Sequence, residues 1–177
     1  DRNINDTIID LNKKLIKNPN DFETLVSLGH LYRLANLPKE ANRFYEKALV
    51  LKPDNFELYF FSAATLFDVH DYLGVLDQLN HAAQIRPNDV NVWIARGKTL
   101  LRLKRTDEAG LSYKKAVELE PANKEAKLLL GSFYLGQGQF KEALQIFETL
   151  PAKDPWICRA PGQIFGIFAA NELNRQL

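Results

Sequence analysis

Five prolines set the frame of this sequence. Pro19, Pro53, Pro87, Pro121 and Pro155 each stand 34 residues after the last. Other columns keep the same step. Gly29, Ala63, Gly97 and Gly131 form a column of small residues, and Ala41, Val75, Ala109 and Ala143 form a second. Ala48, Ala82 and Ala116 form a third, which breaks at Leu150. Tyr45, Leu79, Tyr113 and Phe147 form a large column, as do Tyr32, Leu66, Leu100 and Tyr134. A period of this length, held by so many columns, confines the chain to one kind of architecture. A short supersecondary unit is repeated and stacked in line.

Each unit reads as two helices. In the first, Phe22, Leu25, Leu28, Tyr32 and Leu34 recur at helical spacing, and a break follows at Asn36-Leu37-Pro38. Pro38 suits the first turn of the next helix, where a missing N–H costs little. Ala41, Phe44, Tyr45, Ala48, Leu49 and Leu51 then recur in the same way. Lys52-Pro53-Asp54-Asn55 closes the unit, with proline to stop one helix and Asp or Asn to cap the next. The small columns let two antiparallel helices approach, and the large column fills the groove beside them. One such pair cannot bury its apolar faces alone, whereas stacked neighbours can.

The pattern resembles the tetratricopeptide repeat family: a large residue, Leu-Gly, Tyr, Ala, an aromatic, Ala and Pro. The first unit carries it as Leu25, Leu28-Gly29, Tyr32, Ala41, Tyr45, Ala48 and Pro53. The third has Trp93, Gly97, Leu100, Ala109, Tyr113, Ala116 and Pro121, and the fourth Leu130-Gly131, Tyr134, Ala143 and Phe147. The second diverges most, with Tyr59, Ala63, Leu66, Val75, Leu79, Ala82 and Pro87. The resemblance implies an all-α fold, a right-handed superhelical solenoid of antiparallel helix pairs.

The expected organisation is one continuous domain. Residues 1–21 form a leading half-repeat helix, and four repeats follow at 22–55, 56–89, 90–123 and 124–157. In the last, Leu150-Pro151 shortens the second helix. Residues 158–177 follow as a C-terminal helix, with Ile164, Phe165, Ile167, Phe168 and Leu173, that caps the last repeat.

In this family the first helices of successive units line a concave face. Their inward rows here read Val26, Phe60, Ile94 and Leu128, then His30, Ala64, Lys98 and Ser132, then Arg33, Phe67, Leu101 and Leu135. Two of the three rows are mainly apolar. The expected groove is therefore an apolar stripe with basic points at Arg33, Lys98 and Arg102. Glu23, Glu57 and Glu125 lie near one rim, with Asp68 further along. Such a groove suits an amphipathic helix or an extended apolar segment, anchored on Phe60 and Phe67. The competing expectation is that these residues pack within the repeats or lie under the terminal helix.

One subset of the family grips chaperone C-terminal carboxylates with a Lys, Asn, Asn, Lys, Arg set. Here one register places Val26, His30, Phe61, Asn91 and Ala95 at those positions. The next places Phe60, Ala64, Ala95, Glu125 and Leu129 there. Neither is a carboxylate clamp.

Other chemistries find little support. His30, His70 and His81 lack metal-ligand spacing. Cys158 is the one cysteine, so no internal disulfide framework exists, and no neighbouring base argues for a nucleophile. Gly136-Gln137-Gly138 joins helix to helix with no strand before it, which suits a helix C-cap and turn rather than a phosphate loop. Lys and Arg number 23 against 22 Asp and Glu, a balance with no general attraction for nucleic acid or anionic lipid. Residues 164–170 are the most apolar stretch, too short to cross a bilayer. The chain starts at Asp1 and lacks Met, which reads as processed or cut from a longer protein.

These features predict a non-enzymatic scaffold or adaptor, without cofactor or metal, that binds another protein or peptide segment in assembling a complex. Self-association through apolar surface is a further expectation, and nucleic-acid or membrane binding is not expected. The alternatives are a substrate-specific chaperone or biogenesis factor for secretion, pilus or cytochrome c maturation, or an accessory domain of a larger enzyme. Residues 11–21 with Leu28-Gly29 are similar to bacterial repeat proteins of cytochrome c maturation. A cytoplasmic location is favoured, with a periplasmic or membrane-anchored one if a segment precedes Asp1.

Overall fold

The computed structural model describes residues 2–150. Among them are nine α-helices and no strand. They are α1 (Arg2–Lys17), α2 (Phe22–Leu34), α3 (Pro38–Leu51), α4 (Phe56–Asp68), α5 (Tyr72–Ile85), α6 (Val90–Arg102), α7 (Thr106–Leu119), α8 (Lys124–Gly136) and α9 (Phe140–Glu148). The protein is an all-α helical repeat array. The expected terminal helix at 158–177, and Cys158 with it, lies outside the described residues.

Two kinds of turn alternate, and each recurs with the period. Between the helices of a pair, Leu37, Asp71, Arg105 and Gln139 donate their backbone N–H groups to Tyr32, Leu66, Leu100 and Tyr134 carbonyls at 2.9–3.0 Å. The residue before each donor sits in the left-handed region: Asn36 at φ 58°, His70 at 62°, Lys104 at 60° and Gly138 at 70°. This is the left-handed helix end that glycine or asparagine adopts most readily. Gly138 thus serves the turn that its sequence context suggested.

Between pairs, the proline column does the work. Lys52, Arg86 and Glu120, each just before a proline, hold extended backbone at φ −135°, −129° and −132°. Proline forces its predecessor out of helical geometry, which ends α3, α5 and α7. The Asx column then starts the next helix. Asn55 and Asn123 accept from the Leu58 and Ala126 N–H groups at 3.0 Å, and Asp89 accepts from the Asn91 N–H at 2.9 Å. Pro38 occupies the first turn of α3, as expected.

The small and large columns meet face to face. A Cβ on Gly29 would run into the ring of Tyr45, and one on Gly97 into that of Tyr113. On Gly131 it would stand 2.6 Å from Phe147 Cε1. Each aromatic is 4% exposed or less. The second repeat pairs Ala63 with Leu79 at the same positions, a smaller side chain opposite a bulkier helix surface. Total volume at the crossing is kept, which is what close packing demands.

The described residues divide into two compact units, one within 2–92 with 102–104 and the other within 93–101 with 105–150. In the first, Leu25, Ala41, Tyr45, Ala48, Leu49, Phe56, Leu58, Tyr59, Ala82 and Val92 form one buried cluster. A polar link crosses it, from the Ser62 hydroxyl to Asn42 Oδ1 at 2.6 Å. In the second unit, Ala143, Phe147 and Leu150 form a smaller buried cluster. α9 has 9 residues where α7 has 14.

Candidate functional site

Of the residues expected to line a groove, the structure separates the deep from the exposed. On α2, Val26 is half-buried and packs against the first unit's core, His30 is half-buried and Arg33 is exposed. On α4, Phe60 is half-buried while Ala64 and Phe67 are exposed. On α6, Ile94 is 5% exposed and belongs to the interior, whereas Lys98 and Leu101 face solvent. On α8, Leu128 and Leu135 pack onto Ala143, Phe147 and Leu150. Ile94 is thus buried, and Leu128 and Leu135 are half-buried against their own repeat. The physical reason is that a first helix must bury one side against its own partner helix before any side faces a ligand.

Within the first unit, part of the expected set converges with residues that the row pattern did not include. Phe56, Phe60 and Phe61 floor an open depression of about 350 Å³, with Glu57, Asp89 and Asn91 around it. Phe56 and Phe60 lie one helical turn apart on α4, with ring centroids 5.1 Å apart. The Arg86 guanidinium, at the end of α5, lies 4.1 Å over the Phe56 ring. Its Nη2 donates to Glu57 Oε1 at 2.7 Å. The Glu57 backbone N–H, and then Arg86, hold that carboxyl below its ordinary range. One repeat earlier, Lys52 Nζ sits 3.8 Å over Phe22, so the cation-on-aromatic clasp also follows the period. That pairing of Phe22 with Lys52 and Phe56 with Arg86 was the signal available for Arg86.

His30 occupies the other side of Phe61. Its ring meets that of Phe61 edge-on, with centroids 4.6 Å apart, and that of Tyr45 at 5.5 Å. Its Nδ1 is 2.9 Å from the Tyr45 hydroxyl. Burial, and then the charge of Arg33, lower the His30 pKa. Burial raises that of Tyr45, with Arg33 pulling the other way, so the hydroxyl keeps a proton to share with Nδ1. His30 is thus a neutral structural bridge among α2, α3 and α4.

In the second unit, the expected basic point and acidic rim neutralise each other, because Lys98 Nζ donates to Glu125 Oε1 at 2.6 Å. Among the described residues, no group of three or more His, Cys, Asp or Glu could hold a metal ion. No described helix is long and apolar enough to cross a membrane.

Stacked helix pairs with partly exposed apolar side chains define a class, the helical-repeat scaffold for protein–protein interaction. Residues 24–58 and 100–155 each match a family model described as tetratricopeptide repeat. The chain belongs to the tetratricopeptide repeat family, a family of scaffolds whose members bind other proteins or peptides. It is 37% identical over 83 residues to tetratricopeptide repeat protein 37 of Xenopus laevis, covering 45% of this chain and 5% of that one. It is 31% identical over 84 residues to superkiller protein 3 of Saccharomyces cerevisiae, covering 48% of this chain and 6% of that one. Against a TPR repeat-containing protein of Methanocaldococcus jannaschii, identity is 28% over 141 residues, 78% of this chain and 24% of the other. The chain thus spans a small fraction of each of these relatives. Among solved structures, MamA superposes with a TM-score of 0.75 at 25% identity, over 82% of this chain and 85% of that one. YrrB, described as a TPR protein with an unusual peptide-binding site, gives 0.73 at 24% identity, over 93% and 84%.

Proposed function

We propose that this protein binds a segment of another polypeptide through the exposed face of α4, as an adaptor in the assembly of a protein complex. The observation that carries this reading is the depression over Phe56, Phe60 and Phe61. The partly exposed rings of Phe60 and Phe61, beside buried Phe56 on a concave, open surface, are a standing gain in apolar burial for any partner that covers them. Phe67, one third exposed further along α4, extends the same helix as a contact surface. The family supports a protein or peptide as ligand, and the near-balanced charge, 23 Lys and Arg against 22 Asp and Glu, favours no other macromolecule.

Site-specific photocrosslinking tests the reading. A p-benzoylphenylalanine is placed at position 60 in one variant and at Val50, 82% exposed on α3, in another. Both are expressed in cells of the protein's own source. Position 60 is expected to capture a discrete partner that position 50 does not. Equal capture at both positions, or none at position 60, overturns the reading.

A further inference from the structure

The rim of the depression on the first unit carries two carboxylates. Glu57 and Asp89 stand on it, with Asn91 beside them. Arg86 is committed to Glu57 and to the Phe56 face. Asp89 gives one carboxylate oxygen to the Asn91 N–H and has no ion-pair partner among the described residues. The net charge around this apolar floor is therefore negative. The volume, about 350 Å³, falls at the low end of ligand pockets, which run from about 300 to 1,000 Å³. That is space to seat one bulky side chain.

We propose that this depression takes a single bulky apolar side chain from a partner segment that carries Lys or Arg beside it, with the cation meeting Asp89. The inference rests on the peptide-binding reading above and narrows it to a class of ligand. The aromatic floor receives the apolar side chain, and its ring faces attract a neighbouring cation as well as an apolar group. The molecule already uses this chemistry on itself. Arg86 lies over Phe56 with a carboxylate alongside, and Lys52 lies over Phe22. The same rim repels an acidic segment or a C-terminal carboxylate. It thereby selects against the ligand class gripped by the carboxylate-clamp members of the family.

A random peptide library displayed on phage, panned against the intact protein, tests this. Enriched peptides are expected to place a large aliphatic or aromatic residue next to Lys or Arg. One selected peptide is then titrated against the protein, Phe60→Ala and Asp89→Asn. The asparagine keeps an oxygen for the Asn91 N–H, so the helix start survives while the charge goes. Helical circular dichroism and thermal midpoint verify that both variants fold. Binding is expected to weaken at least about 10-fold in Phe60→Ala and about 3-fold in Asp89→Asn, and wild-type binding to weaken as salt rises. Enriched peptides with acidic flanks, or peptides indifferent to both substitutions, overturn this inference and leave the broader reading standing. A library that yields no enriched peptide overturns both.

Discussion

At the scale of single residues, the Gly column and the aromatic column are one feature. Gly29 is glycine because the Tyr45 ring occupies the space its Cβ would need. Gly29→Ala is expected to cost about 1–3 kcal/mol by overpacking a buried crossing. Pairing it with Tyr45→Leu reproduces the Ala63 and Leu79 combination of the second repeat, and should recover part of that loss. Urea denaturation of both singles and the double would show it. If the two costs simply add, the columns are independent and the packing argument fails. His30 is legible in the same spirit. Its folded-state pKa lies below the ordinary value of 6.5, so the folded protein prefers it neutral. Its contribution to stability is then present above pH 6.5 and lost as pH falls from there through the folded pKa. The fall in thermal midpoint between pH 7.5 and pH 5.5 should be smaller in His30→Gln than in the wild-type protein. Equal slopes would remove His30 from the account.

At the scale of elements, the helix ends carry the periodicity as faithfully as the core does. The prolines, the Asx caps and the left-handed turn residues all recur at one step, and each acts locally on its own backbone. This made helix starts and stops readable from the sequence, including the turn at Gly136-Gln137-Gly138. The turn column also holds a mismatch. Lys104 adopts φ 60° with a side chain, where Gly138 meets the same turn without one. Lys104→Gly is expected to stabilise the protein by about 0.5–1 kcal/mol, the left-handed strain removed less the extra freedom of an unfolded glycine. A lower denaturation midpoint for Lys104→Gly would contradict the strain argument. The element scale also shows where row reading ends. Ile94 and Leu135 are each more buried than the other members of their rows, because a 3.6-residue period and a finite crossing angle put such rows at a burial boundary.

At the scale of the whole molecule, the sequence alone determined the architecture: an all-α array of repeated helix pairs, with small and large residues meeting at their crossings. It could do so because every one of those features is set by contacts between near neighbours in the chain, and the 34-residue step repeats each signal three to five times. The family followed from the same columns. Only the tertiary structure decided which side chains on the first helices remain available. It buried Ile94, paired Lys98 with Glu125 and placed His30 between Tyr45 and Phe61. It also gathered Phe56, Phe60 and Phe61 from one helix with Asp89 and Asn91 from about thirty residues later. The meeting of these side chains had no repeated signal to read. Phe61 and Asn91 break from what the other repeats carry at the same position, while Asp89 keeps the Asx column. A binding surface is assembled from such departures, and their meeting in space is a property of the packed helices rather than of any one unit.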